Sequence, residues 1–174
     1  MDLILFNGEG YQAEIIEKIP FKLNKDKIII IQAKDDKLNR EVLSSKYVDI
    51  LLDPHINRRK DYLHHRDSGL NQVLCKLAKE NNIAVGFSLS SILKSKDRAK
   101  LIGRMMQNIK LCRKYKVPMV IGSFAKNNSQ TRNFKDIQSL FKILGMTGKE
   151  VISNFIEYKL DYKKRFITKG VMTA

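Results

Sequence analysis

The sequence predicts an α/β fold on a mainly parallel sheet, arranged as a reduced or incomplete TIM-like (β/α) barrel. Three observations carry this expectation. Short β-branched runs alternate with amphipathic helical periods along the whole chain. Residues 47–93 make one complete strand–loop–helix–strand unit, the building block of a parallel sheet. The 174 residues hold about five or six such units plus extra helices, where a full eight-unit barrel usually needs about 250 residues. No Ser- or Pro-rich linker and no low-complexity segment interrupts the chain, so residues 1–174 read as a single domain.

Taken in order, residues 3–6 form a short strand. Asn7-Gly8-Glu9-Gly10 follows as a turn, because glycine takes positive φ cheaply; a phosphate-cradling loop is the weaker alternative. Residues 11–19 place Ile15, Ile16 and Ile19 on one helical face, and Pro20 stops that helix. Four consecutive isoleucines within residues 27–32 suit an inner strand buried on both faces. Residues 33–38 read as a polar loop and residues 39–46 as a short helix capped by Asn39.

The strand at 48–52 stops at Asp53-Pro54. A polar loop follows, with Arg58, Arg59, Lys60, His64, His65, Arg66 and Asp67. Leu70, Val73, Leu74, Leu77 and Ala78 then recur at i, i+3, i+4, i+7 and i+8, an amphipathic helix that Asp67 and Ser68 can cap and Asn81-Asn82 ends. Residues 83–89 form the next strand. The longest helix spans 95–116 and opens on Ser95 or Asp97. Leu101, Ile102, Met105, Met106, Ile109 and Cys112 make its apolar face; Lys100, Arg104, Lys110 and Lys114 lie across the other half.

Val117-Pro118 leads into a strand at 119–122, then Ser123 and a polar loop at 124–133. A helix at 134–146 turns Phe134, Ile137, Leu140, Phe141 and Leu144 inward and ends near Gly145. Thr147 with Glu150 is a capping box for another helix, whose buried side is Val151, Ile152, Phe155 and Ile156. The tail, residues 159–169, mixes aromatic and basic residues and can pair as a last strand at 165–168.

Charge is the strongest functional signal. Lys and Arg number 33 against 18 acidic residues, a formal net of +15. That excess points to a polyanionic partner, with a merely soluble lysine-rich protein as the bland alternative. An apolar run such as residues 28–31 is far short of the roughly 20 a membrane span needs. A membrane partner is therefore not expected, and the absence of a secretory leader pattern makes the cytoplasm the expected location. Cys75 and Cys112 are too far apart for a zinc motif and read as reduced, buried or nearly buried thiols.

If the strands are parallel, the loops after residues 52, 89 and 122 converge on one rim, the end where α/β folds bind ligands. The candidate polyanion contacts are Arg58, Arg59, Lys60, Arg66, Arg98, Lys100, Arg104, Lys126 and Arg132. Guanidinium forks pair bidentately with phosphate. Arg66 and Arg132 have a structural alternative as ion-pair partners of Asp67 and Asp136, and the basic half of the long helix has one as a solvated exterior. No catalytic residue and no metal ligand is assigned. Asp53 and His55 could hold one ion weakly, but a multi-metal site draws ligands from separate strands, and the three histidines share one loop. Ser123 lacks a G-x-S-x-G elbow and has no histidine after it, so it caps backbone or meets a ligand.

Several segments carry a resemblance. They are Val48-Asp49-Ile50-Leu51, Arg66-Asp67-Ser68-Gly69-Leu70-Asn71, Leu77-Ala78-Lys79-Glu80-Asn81-Asn82-Ile83-Ala84-Val85, Tyr115-Lys116-Val117-Pro118, Gly122-Ser123-Phe124-Ala125, Thr131-Arg132-Asn133-Phe134-Lys135-Asp136 and Leu144-Gly145-Met146. In order and spacing they resemble the archaeal ribonuclease P protein component 3, a family shared with the eukaryotic thirty-kilodalton subunit of ribonuclease P. The resemblance implies a barrel-like, non-catalytic subunit of an endoribonuclease. Such a subunit binds the RNase P RNA and precursor tRNA and supports removal of the 5′ leader. It also implies a small companion protein subunit and other RNase P proteins as partners. The protein would bind no cofactor, Mg²⁺ acting through the RNA that carries out cleavage. Three features depart from the family: a short N-terminal part, Gly122 where relatives tend to have a second serine, and an extra stretch Asp61-Tyr62-Leu63-His64-His65. At fold level the same family resembles metal-dependent phosphoesterases of the irregular-barrel type, the alternative function. A protein-interaction scaffold is the third class.

Overall fold

The computed structural model of the chain describes residues 2–5, 11–12, 14–56, 60–168 and 171–172. Strands β3 (Glu14–Ile15), β4 (Ile29–Gln32), β5 (Ile50–Leu52), β6 (Ala84–Ser88) and β7 (Met119–Gly122) lie side by side in that order, every pair parallel. Strand β1 (Leu3–Ile4) pairs in parallel with β2 (Tyr11–Gln12) on one side. On its other side it meets the continuation of β7, where Leu5 N donates to Ala125 O at 2.8 Å and Phe124 N donates to Leu3 O at 2.7 Å. Since β2 and β3 follow each other in the chain, the pairings run the whole way round: β7 to β1, β1 to β2, then β3 back through β4, β5 and β6. The reduced barrel expected from the sequence is a ring of this kind.

Strands β4 to β7 are apolar on both faces, as parallel strands under helices must be. Ile28, Ile30, Ile50, Leu52, Ala84 and Val120 point inward with Leu3 and Phe124. Ile29, Ile31, Leu51, Val85, Phe87, Met119 and Ile121 point outward beneath the helices. The four-isoleucine run thus divides two and two between the cores, following the period of a strand. Gly86 and Gly122 keep the interior narrow: a Cβ on Gly86 would stand 2.9 Å from Leu52 Cδ1.

The helices are α1 (Asp36–Ser44), α2 (Gln72–Glu80), α3 (Leu89–Lys94), α4 (Arg98–Tyr115), α5 (Phe134–Ile143), α6 (Gly148–Val151) and α7 (Phe155–Lys164). Helix α4 opens on Asp97, whose side chain accepts from Lys100 N, and α6 carries the capping box of Thr147 and Glu150. Helix α7 closes the amino end of the ring. Phe155 enters the inner core, Lys159 Nζ donates to Asn82 O at 2.6 Å, and Lys163 Nζ donates to Lys27 O at 2.8 Å and to Asp49. Two short strands, β8 (Phe166–Thr168) and β9 (Val171–Met172), form an antiparallel pair at the tail, where one strand was expected.

Five local expectations need correction. The helix expected over 11–19 is absent among the described residues: Glu14 and Ile15 pair with Ile29 and Ile30, because the ring needs a strand there and sheet pairing overrides a short helical period. Helix α1 starts earlier, with Asp35 as its cap accepting from Leu38 N at 2.8 Å; Asn39 is buried instead and accepts from Lys34 N at 3.2 Å. Asn71, not Asp67 or Ser68, caps α2. The last helix is broken after Val151, leaving Ile152 exposed, and α3, which begins at Leu89 where the strand read at 83–89 was to end, was not anticipated. The turn expected at 7–10 lies outside the described residues. Cys75 and Cys112 are free and buried. Among the described residues, no helix is long and apolar enough to cross a membrane.

Candidate nucleic-acid interface

The carboxyl end of the ring opens into a cavity of about 930 Å³. Successive strand ends line it: Gln32 and Lys34 after β4, Asp53 after β5, Ser88, Ser90 and Lys94 around α3, and Phe124 and Lys126 after β7. Glu14 and Glu17 stand on the side of β3. Lys34, Lys94 and Lys126 are all exposed. The cavity mouth is therefore cationic along three strands, while on the β3 side Lys27 pairs with Glu14 at 3.4 Å and Glu17 adds an acidic group.

Asp53 sits at φ 51°, a left-handed conformation that aspartate tolerates better than most residues. This bend turns its carboxylate toward β6, where it accepts from Ser88 N at 2.8 Å and Ser88 Oγ at 2.5 Å. Burial pushes its pKa up to about 7, against the pull of the Ser88 hydrogen bonds and Lys94. His55 is fully buried, its ring stacked on Phe87 with centroids 5.8 Å apart. Its Nε2 stands 3.6 Å from Asp53 Oδ1, and neither ring nitrogen has a hydrogen-bond partner among the described residues. Burial, aided by Arg104, pushes its pKa down to about 3, so the ring is neutral.

These residues fit a metal poorly. A multi-metal hydrolytic site takes ligands from several strand ends. Here β4, β6 and β7 end in Gln32, Ser88 and Gly122, and the Asp53 carboxylate at the end of β5 is already engaged by Ser88. No group of three or more His, Cys, Asp or Glu among the described residues is placed to hold an ion. Ser123 is buried in the seam between β7 and β1: its Oγ donates to Leu3 O at 3.2 Å and its amide donates to Asp2 Oδ1 at 2.6 Å. Of its two expected roles, it takes the backbone-capping one.

The cations named from the sequence divide into two groups. Lys126 lines the cavity, and Arg98 and Arg132 stand exposed on flanking segments. Arg98 Nη2 donates to Leu93 O at 3.3 Å, and Arg132 Nη1 donates to Thr131 O at 2.6 Å, so each also holds its own turn. Lys60 and Arg66 belong to a loop strapped across α4; both are exposed, and the Arg66 guanidinium occupies the space above Gly103. Lys100 is half-buried near Asp61. Arg58 and Arg59 lie outside the described residues.

Arg104 is a correction. It does not lie on an exposed basic face: it is 3% exposed, and its Nε and Nη2 each stand 2.7 Å from Asp61 Oδ1. The helical period sets it beside Leu101 and Asn108, and Asn108 donates to Ser68 O of the loop that folds over this face. Burial raises the Asp61 carboxyl, but Arg104 and the Asp67 amide outweigh it and hold the group below its ordinary value. The sequence reading missed Lys34 and Lys94. Lys34 lies just past the end of β4 and Lys94 ends the short helix that follows β6, and the rule that singled out the other loops could have found both.

The family model of the RNase P subunit p30 matches residues 14–158. This chain belongs to that family. The ribonuclease P protein component 3 of Methanococcus vannielii is 31% identical over 168 residues, covering 92% of this chain and 68% of its own. That of Methanococcus maripaludis strain S2 is 32% identical over 161 residues, covering 88% and 66%. The p30-family chain thus spans about two thirds of the length of these relatives. Among solved structures it is similar to a chain in the cryo-EM structure of archaeal ribonuclease P with mature tRNA, at TM-score 0.70 and 27% identity, over 83% of this chain and 61% of that one. A crystal structure of an amidohydrolase aligns at TM-score 0.51 and 13% identity, over 84% of this chain and 36% of that one, a likeness of fold alone.

Proposed function

We propose that this chain works as a protein subunit of ribonuclease P, binding the RNase P RNA and supporting removal of the 5′ leader from precursor tRNA. The observation that carries the reading is the p30 family match over residues 14–158. The net charge of +15 and the cationic mouth formed by Lys34, Lys94 and Lys126 fit a phosphate backbone read by shape rather than by sequence. In this reading the RNA with Mg²⁺ breaks the bond, and the protein holds charge in place on a rigid ring. Other RNase P proteins, among them a small companion subunit, complete the particle.

Reconstitution tests it. Added with the other protein subunits to RNase P RNA, the chain should raise precursor-tRNA cleavage at low Mg²⁺. Its RNA affinity should fall with salt at a slope corresponding to roughly 4–8 phosphate contacts. Cleavage that is indifferent to the chain would overturn the reading, as would cleavage of a phosphodiester by the chain alone.

A further inference from the structure

We infer that the loop at residues 60–67 carries a stacking platform, the paired rings of Tyr62 and His65, for an unpaired nucleotide of structured RNA. The inference rests on the RNA-binding reading above and names one contact within it. The two rings stack with centroids 4.6 Å apart and planes 16° from parallel. Tyr62 remains 64% exposed, so much of its ring is open to a further partner. Lys60 and Arg66 flank the pair in sequence, both exposed. Exposed π-faces for bases, flanked by cations for the connecting phosphates, are how proteins take hold of unpaired RNA.

The platform is held in shape before any ligand arrives. Tyr62 N donates to His65 O at 2.9 Å across the tip. The neck is closed by Asp61, whose Oδ1 accepts from Asp67 N at 3.0 Å and from the buried Arg104 Nε at 2.7 Å. Gln107 Nε2 then donates to Arg66 O at 2.9 Å, and Asn108 Nδ2 donates to Ser68 O at 2.8 Å. Three residues of α4 thus strap down a loop that would otherwise lose entropy on binding. Leu63, 93% exposed at the tip, would also suit a protein partner, but the exposed Lys60 and Arg66 of the same loop and the net charge favour RNA.

The chain contains no tryptophan, so Tyr62→Trp introduces a single reporter at the platform. The probes are a stem–loop RNA with an unpaired loop and a blunt duplex of equal length, titrated with the full chain. Tyr62→Ala should weaken stem–loop binding about tenfold, leave duplex binding unchanged and keep the salt slope, since stacking neutralises no phosphate. Tyr62→Phe should bind like the parent, and the Tyr62→Trp emission should be quenched by the stem–loop. Parental stem–loop affinity in Tyr62→Ala, or unquenched emission at saturation, overturns the platform while leaving RNA binding intact. If Tyr62→Ala instead releases a protein subunit from the reconstituted particle at unchanged RNA affinity, the loop is a protein contact and the inference is wrong. If the parent chain binds neither RNA, the function proposed above fails and the platform with it.

Discussion

Lys163 of α7 donates to Asp49 at the foot of β5, and both side chains are buried completely or nearly so. The same carboxylate accepts from Ile29 N at 2.7 Å, and Lys159 Nζ stands 3.8 Å from its other oxygen. One acidic residue thus joins β4, β5 and the closing helix at the amino end of the ring. A buried ion pair adds little net stability, but removing one partner leaves the other uncompensated. Lys163→Met should therefore cost about 3–5 kcal/mol in urea unfolding. Adding Asp49→Asn removes that carboxylate charge but leaves the buried Lys159 without it, so the double variant should recover only part of that loss. If the double variant is no better than the single, the pair is not what holds α7.

Asp53 and His55 should pull stability in opposite directions with pH. Asp53, raised from 3.8 to about 7, binds its proton more tightly when folded; its contribution is greatest below 3.8 and is lost as pH rises through 7. His55, lowered from 6.5 to about 3, binds its proton less tightly when folded; its contribution is present above 6.5 and is lost as pH falls toward 3. Between 3.8 and 6.5 the two oppose each other. Asp53→Asn keeps an acceptor for Ser88 N and suits the left-handed backbone, so it should leave His55 unopposed and make the chain more acid-sensitive than the parent. His55→Gln should do the reverse. Denaturant midpoints measured between about pH 4 and pH 7 check both, and curves parallel to the parent's would remove the coupling.

Much of the architecture was legible because it rests on local rules. The run at residues 28–31, the helical period from Leu70 to Ala78 and the Thr147 capping box each bury or satisfy themselves in a way neighbouring residues decide. What was not legible depends on partners far along the chain. Ile15 is a strand residue only because Ile30 lies beside it. Arg104 is a structural residue only because Asp61 folds back 43 positions to meet it. Lys159 and Lys163 looked like tail cations, yet their amines satisfy carbonyls at the foot of the ring. A charged side chain reports its partner only once the fold has brought one near. That is why the basic character of the chain was readable and the division between binding and structural cations was not.

Arg113 and Glu150 supply a test at the surface. Arg113 Nε stands 2.8 Å from Glu150 Oε1, and Arg113 Nη2 bonds both Glu150 and the Gly145 carbonyl, tying α4 to the turn before α6. The guanidinium, with the Thr147 amide and hydroxyl, outweighs burial and holds Glu150 at about 2 against an ordinary 4.5. A depressed carboxyl contributes above 4.5 and loses that contribution as pH falls toward 2. Arg113 is 42% exposed, so solvent screens the pair and Glu150→Gln should cost only about 1 kcal/mol at neutral pH. The difference from the parent should shrink as acid protonates Glu150. A difference that persists at low pH would assign the effect to packing instead.

Two glycines should respond in opposite ways to alanine. At Gly122 a Cβ would stand 2.7 Å from Leu3 Cβ, 3.3 Å from Leu3 N and 3.2 Å from Phe124 Cε2. Two of those atoms belong to β1, the strand that closes the ring, and one is backbone, so the seam itself must move. Gly122→Ala should cost about 1–3 kcal/mol, the usual penalty for overpacking a tight interior. At Gly103 a Cβ would stand 1.7 Å from Arg66 Nη1, a worse overlap on paper. That atom is the far end of a long, exposed side chain, which can swing off α4 at little cost. Alanine then gains up to about 1 kcal/mol of helix propensity in the middle of an 18-residue helix. Gly103→Ala should be neutral or stabilising in thermal unfolding while Gly122→Ala is clearly destabilising. Equal losses at the two positions would mean that Arg66 is as firmly held as the β1 seam.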